Sequence, residues 1–386
     1  MNTVKLVNID GSTSDFKLSG ISSSDLQTSQ FHSRKAFAAA HVVIDPLRSA
    51  DALHGAVIDW EKTLAYREYL WSLGFGVAEA MDTAQRGMGL PWERALELIT
   101  RSSKLAKGRG ALIASGAGTD HLDGGLEHSL LDVRKAYELQ CRAIEGAGSQ
   151  IILMASRALA KTATSFEDYL SVYSDVLAGT SEPVILHWLG NMFDPALAGY
   201  WGSRDVLIAA QNCLKIIEAN QAKVCGIKIS LLDADLEIEL RRLLPPHVRM
   251  YTGDDFNFDK LILGDAFGHS DALLGIFDPI APVASAALAA LDRGDTARYK
   301  ELLAPTVPLS RHLFSYPTYA YKTGVVFLAY INGHQDHFRM LSGAEGARSL
   351  SHLCEILRLA DAAALIRDPE LAAFRMKLVL SIGGVS

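Results

Sequence analysis

From residue 37 onward the chain keeps one rhythm, a short apolar run followed by a segment of helical period, repeated eight times. Parallel strands need long crossovers between them, and helical segments in those places are what a parallel sheet requires. Eight such units predict an α/β chain built as a closed (β/α)8 TIM barrel. No shorter repeat and no low-complexity tract accompanies the rhythm.

The expected strands are His41 to Asp45, Phe75 to Ala80, Ala111 to Ser115, Ile151 to Met154, Pro183 to Trp188, Val224 to Lys228, Val248 to Thr252 and Ala272 to Phe277. Helices are expected over Asp59 to Leu73, from Pro91, over Leu130 to Ile144 and over Asp205 to Ala219. A further helix starts at Thr164-Ser165-Phe166-Glu167, which fits a capping box. Three regions follow: an N-terminal appendage over 1–33, the barrel over 34–295, and a helical C-terminal extension over 296–386. The appendage carries two short strands, Val4 to Val7 and Phe16 to Leu18, around the turn-rich Asp10-Gly11-Ser12-Thr13-Ser14. Ser22 to Gln30 reads as a linker, and the extension's helices are expected at Tyr319 to Asn332, Ala347 to Leu359 and Pro369 to Leu380.

Charge and cysteine content narrow the partners. A formal net charge of -7 with no cluster of Lys and Arg argues against nucleic acid. Cys141, Cys213, Cys225 and Cys354 are far apart, so neither a disulfide framework nor a zinc knuckle is expected, and a reducing cytoplasm is the simplest compartment. The first residues, Met1-Asn2-Thr3-Val4-Lys5-Leu6, lack the apolar core of a signal peptide. Ala272 to Leu291 is the most apolar long run, but Asp278, Pro279 and Pro282 interrupt it, so no membrane span is expected. A small molecule is the expected partner.

A parallel barrel collects its functional groups where strands run out. Those ends carry His41 and Asp45; Glu79, Asp82 and Thr83; Ser115, Asp120 and His121; Ser156 and Arg157; His187 and Asn191; Lys228 and Ser230; Asp254 and Asp255; and Asp278. Lys228 stands out, because an ammonium at the end of a buried strand is disfavoured by desolvation. A lysine made neutral in this way is a nucleophile toward carbonyls.

The order of motifs resembles the dihydrodipicolinate synthase/N-acetylneuraminate lyase family of Schiff-base class I aldolases. Phe75 to Glu93 resembles that family's second strand and following helix start, and Pro183 to His187 its fifth strand. Gly226-Ile227-Lys228 is similar to its Gly-Ile-Lys, and Thr252-Gly253-Asp254-Asp255 to its Ser-Gly-Asp-Asp. Gly294-Asp295, and more loosely Pro317 with Lys322, resemble landmarks of its helical tail. The resemblance covers residues 37 to 375 and marks a divergent branch. It implies a lyase in which Lys228 forms the imine, no cofactor, and a homo-oligomer, dimer or tetramer.

The family's Gly-Thr-Thr-Gly-Glu, which holds the pyruvate carboxylate, is absent, and the chain reads Glu79-Ala80-Met81-Asp82-Thr83-Ala84-Gln85-Arg86 there. His187 stands where the family has a proton-relaying tyrosine, a task that suits an imidazole. Substrate hydroxyl or carboxylate groups are assigned to Thr83, Arg86, Arg157, Ser230 and Asp254. Phe314, Tyr316, Tyr319 and Tyr321 of the tail would suit a subunit interface if exposed.

Two other readings compete. One is a divalent-metal sugar isomerase, epimerase or aldolase with ligands among Glu79, Asp120, His121, His187 and His269. The other is a barrel that binds a metabolite without catalysis. Gly116-Ala117-Gly118 lacks the third glycine of a dinucleotide fingerprint, and His334-Gln335-Asp336-His337 reads as a solvated turn.

Overall fold

The eight apolar runs close on themselves in a computed structural model that describes residues 2–20, 26, 28, 30–48 and 57–385. The chain opens with an antiparallel hairpin, β1 (Thr3–Val7) and β2 (Thr13–Lys17). The barrel strands are β3 (Ala36–Ala39), β4 (Gly76–Glu79), β5 (Ile113–Ala117), β6 (Gln150–Leu153), β7 (Val184–Leu189), β8 (Val224–Ser230), β9 (Arg249–Thr252) and β10 (Asp271–Leu274). Neighbours in sequence are neighbours in space, all parallel, and β10 pairs with β3 to shut the ring.

Between the strands run α1 (Trp60–Ser72), α2 (Trp92–Arg109), α3 (Leu130–Gly146), α4 (Arg157–Thr162), α5 (Phe166–Ala178), α6 (Val206–Ala219), α7 (Ala234–Leu243) and α8 (Phe258–Leu263). After β10 the chain is helical: α9 (Ala281–Asp292), α10 (Thr296–Leu303), α11 (Thr306–Leu313), α12 (Tyr321–Ile331), α13 (Leu350–Ala362) and α14 (Pro369–Ile382). Among the described residues no helix is long and apolar enough to cross a membrane.

Several expected boundaries move, each for a local reason. The first barrel strand is Ala36–Ala39, not His41 to Asp45. Past Ala39 the backbone bonds side chains instead of the ladder: the His41 N–H donates to Asp278 and the Val43 N–H to Thr63 Oγ1. The third strand starts two residues late, because Gly110 closes α2 in the left-handed region (φ 62°) and the Ala111 N–H bonds back to Ala106. The capping box is Ser165 with Asp168, one residue beyond the expected pair. The linker over Ser22 to Gln30 falls mostly outside the described residues.

The appendage and the tail share one core. Val4, Leu6 and Leu18 of the hairpin pack in a single apolar cluster with Val325, Leu357 and Met376 of the tail and Val77 and Leu274 of the barrel. Ser19 ties the junction through its peptide N–H and hydroxyl, both donated to Asp361 on α13.

Inside the barrel, alternation decides what faces the lumen. Phe37, Ala39, Ala78, Ala114, Ile152, Ile185, Tyr251 and Leu273 form a closed apolar layer there. The residues between them, such as Val77, Leu186, Ile227 and Ile229, face outward to the helices.

Candidate active site

The same parity carries Lys228 and Ser230 of β8, and His187 of β7, into the lumen above the apolar layer. Their strand neighbours Ile227, Ile229, Leu186 and Trp188 pack outward. His187 and Lys228 are paired in register across the two strands. Room for the lysine comes from β9, where a Cβ at Gly253 would lie 2.6 Å from Lys228 Cε and closer still to Ser230 Oγ.

Lys228 is buried, 7% exposed, yet its Nζ has no hydrogen-bond or ion-pair partner among the described residues. Burial pulls its pKa below the usual lysine value, and the negative charges of Asp255 and Asp82 only partly oppose that. The amine projects into a small cavity of about 20 Å³, room for about one water. Asp82, Thr83, Ser230, Asp255, Phe314 and Tyr321 are among its walls.

Asp255 is buried, with its carboxylate accepting from the Ile276 N–H at 2.9 Å. Burial pushes its pKa up to about 7, against the pull of that bond and of Lys228. Asp82 and Thr83 sit in a short 3-10 turn after β4. The turn is bracketed by Ala80 (φ 52°) and Gln85 (φ 62°), two non-glycine residues in the left-handed region. Thr83 Oγ1 lies 2.8 Å from the hydroxyl of Tyr321, at the start of α12. Tyr321 stacks on Phe314 with ring centroids 4.2 Å apart, and this pair from the tail roofs the cavity. Burial raises the Tyr321 pKa well above the usual value, so it stays a hydroxyl at neutral pH.

A larger cleft of about 610 Å³ adjoins, sharing Asp82 and Leu189 with the small cavity. His187, Thr119, Ser156, Arg157 and Lys161 are among its walls. His187 Nε2 is 3.4 Å from Ser230 Oγ, while its buried Nδ1 has no hydrogen-bond partner among the described residues. Burial first, and then Lys228 beside it, hold the imidazole well below its usual pKa and therefore neutral.

The other expected site residues are placed differently. Arg86 is buried with all five N–H groups engaged: Asp120 takes a bidentate pair at 2.7 Å each, and Gly116 O, Ala80 O and Gln140 Oε1 accept the rest. It has no donor left for a substrate. Arg157 stands at the rim of the cleft, its Nε donating to Asp194. Asp254 is absent from the small cavity's walls, because its carboxylate caps the next turn, accepting from the Phe256 and Asn257 N–H groups at 2.8 and 3.0 Å.

The residues offered for a metal do not converge. Glu79 has the parity of Val77 and points outward, into a bidentate pair with Arg67 of α1 at 2.8 and 2.9 Å. Asp120 is held by Arg86, and His121 Nδ1 accepts from Gln140. His269 precedes β10 and so lies at the opposite end of the barrel. Among the described residues no group of three His, Cys, Asp or Glu side chains is arranged to hold an ion.

The tail aromatics divide in a way the sequence did not foretell. Tyr316 and Tyr319 are exposed, whereas Phe314 and Tyr321 are buried over the barrel mouth. Asp255 was among the strand-end carboxylates, but nothing in the sequence told it from Asp254. Tyr321 gave no signal, since only the path of the tail brings it to the site.

Fold and mouth together define a (β/α)8 protein with an unpaired buried lysine on its sixth barrel strand. A family model described as "Protein of unknown function (DUF993)" matches residues 4–385, and the chain belongs to that family. Solved structures of the dihydrodipicolinate synthase family share the fold. Dihydrodipicolinate synthase from Aquifex aeolicus is 13% identical with a TM-score of 0.66, over 86% of this chain and 99% of that one. YagE, an E. coli prophage protein of the dihydrodipicolinic acid synthase family solved with pyruvate, is 13% identical with a TM-score of 0.65, over the same shares. The chloride-inhibited dihydrodipicolinate synthase of Acinetobacter baumannii, also with pyruvate, is 16% identical with a TM-score of 0.63, over 86% and 99%. A comparison with curated proteins gave no match.

Proposed function

We propose that the chain is a class I aldolase or lyase in which Lys228 forms an imine with a small carbonyl compound. The observation that carries this is the Nζ of Lys228: buried, unpaired, and aimed into a cavity at the barrel mouth. A buried cation with no partner is costly, so the amine gives up its proton more readily than an ordinary lysine and is the more nucleophilic for it.

The Nζ lone pair attacks the carbonyl carbon and a C–N bond forms. The former carbonyl oxygen takes up two protons, one from the attacking nitrogen and one from an acid, and leaves as water, which gives an iminium. The hydroxyl on the β-carbon then gives up its proton and becomes a carbonyl as the bond between the α- and β-carbons breaks. That bond's electron pair flows to the iminium nitrogen as an enamine forms, and the β-fragment departs as an aldehyde or ketone. Protonation of the enamine and addition of water return the amine. Asp255, with a pKa near neutrality, is the group suited to give and take these protons. His187 is too hard to protonate for the relay, and its free Nδ1 instead offers a hydrogen bond to the substrate in the larger cleft. The fold shared with aldolases solved with pyruvate supports the reading without fixing the substrate.

Reduction with cyanoborohydride in the presence of propanal, a carbonyl with no charged group, tests the nucleophile. Mass spectrometry of the digest should find propylated Lys228 well above the other lysines at neutral pH. Label spread evenly over surface lysines, with none enriched at Lys228, would remove the proposal.

A further inference from the structure

The walls around Lys228 have a charge pattern that bears on the substrate. Two carboxylates, Asp82 and Asp255, line the small cavity, and Lys228 is the only cation among its walls. Both acids act on Lys228 as negative charges. The other polar walls, Thr83, Ser230 and Tyr321, carry hydroxyls. Arg86, the nearby guanidinium, has no donor left for an anion, being consumed by Asp120, Gln140 and two carbonyls. Asp82 is half-buried, and among the described residues no hydrogen bond reaches its carboxylate. It stands on the wall shared by the cavity and the larger cleft, where a substrate must pass.

This inference rests on Lys228 being the imine-forming group. The carbon that bonds Nζ then lies one bond from the lysine, so whatever is attached to that carbon sits inside the same cavity. A carboxylate there would face the Asp82 carboxylate, and Asp255 in its ionised form, with no cation in the cavity's walls beyond the imine itself. A hydroxyl there would donate to Asp82 in a charge-assisted hydrogen bond, with Thr83 and Ser230 in the same walls. We propose that the substrate is an α-hydroxy carbonyl compound, a hydroxyketone or hydroxyaldehyde, and that Asp82 selects it against α-keto acids. The remainder of such a molecule, extending past Asp82 and Leu189, would occupy the cleft lined by His187, Thr119 and Ser156. The cavity as closed is too small for three carbons, so admission also moves the Phe314–Tyr321 roof or the Met81 and Leu189 side chains.

Three probes at equal concentration separate this proposal from the one beneath it: propanal, dihydroxyacetone and pyruvate, each reduced onto the full chain with cyanoborohydride and quantified at Lys228. Dihydroxyacetone should label Lys228 at least ten times more than pyruvate. Asp82→Asn should narrow that ratio at least fivefold, each yield being referred to propanal labelling of the same variant, because loss of the Asp82 charge also lowers the Lys228 pKa. Pyruvate labelling equal to or above dihydroxyacetone, with propanal still marking Lys228, overturns the substrate class and leaves the imine mechanism standing. A ratio unmoved in Asp82→Asn overturns the role of Asp82. Failure of all three probes at Lys228 overturns the mechanism and the substrate class together.

Discussion

Two kinds of buried cation meet near the top of this barrel, and they are treated in opposite ways. Arg67 is fully buried, with four of its five N–H groups met: Glu79 takes two at 2.8 and 2.9 Å, and the carbonyls of His41 and Thr63 accept two more. Arg86 has all five met, by Asp120, Gln140 and two carbonyls. Lys228, four strands away across the same ring, has no such partner among the described residues. A buried charge that is fully met holds elements together, and α1 is tied to β4 in this way. A buried charge left unmet does nothing for the fold, and keeping it is a cost that function must justify.

The contrast breaks first at Lys228 itself. Lys228→Ala should abolish reductive trapping at that position and lower turnover of any substrate by roughly 10³-fold or more, while circular dichroism stays unchanged. Turnover that survived the substitution would make Lys228 an ordinary core lysine. Next comes stability. Arg67→Met strands a buried carboxylate, and denaturant titration should show a loss of about 3–5 kcal/mol. Lys228→Met should be neutral or stabilising, and a loss as large as that of Arg67→Met would mean that the lysine is paired after all. The sign with pH follows from the lowered pKa. Between its folded value and the ordinary 10.5 the unfolded chain binds the extra proton, so the native state gains on Lys228 as pH rises. Any advantage of Lys228→Met should therefore be largest at low pH and fade toward high pH.

A subtler measurement concerns the acid beside the lysine. Asp255 raises the pKa of Lys228, so Asp255→Asn should shift the acid limb of Lys228 labelling by propanal to lower pH. An upward shift would show that the two groups are not coupled as their burial implies. The same variant should remove the limb near pH 7 from any turnover profile, because that limb belongs to the Asp255 carboxyl, whose pKa burial lifts to about 7.

Much of this was legible before any coordinates. Periodicity gave eight strands and the barrel, and an ammonium at the end of the apolar run Val224 to Lys228 set the lysine apart. What periodicity does not encode is who bonds whom across the chain. The first strand was misplaced because His41 to Ile44 is as apolar as a strand, yet its N–H groups go to Asp278 and Thr63 from distant elements. Arg86 looked like a substrate ligand because a lone arginine in a loop carries no sign of five waiting acceptors. Asp254 and Asp255 are neighbours of one type, and only the turn geometry sends the first to cap a loop and the second to the lysine. The tail's share in the site was hidden for a related reason. Tyr321 is 93 residues beyond Lys228, and no local pattern tells which face of the barrel a C-terminal helix will cover.

That contribution of the tail gives the finest test of the contrast between met and unmet groups. Tyr321 and Thr83 satisfy one another at 2.8 Å, yet both line the cavity of the unpaired lysine. Should the pair serve only the fold, Tyr321→Phe and Thr83→Ala would each cost about 1 kcal/mol, and the double variant would cost less than the sum because the bond is lost once. Turnover would then follow folded fraction alone. Should the hydroxyls also meet the substrate, Tyr321→Phe would lower kcat several-fold under conditions where the protein stays fully folded. We expect the second result, since the roof of the cavity is where the leaving water or a substrate hydroxyl has to find a partner. An unchanged kcat in fully folded Tyr321→Phe would place the tail's tyrosine with Arg67 and Arg86, among the groups that are met and structural.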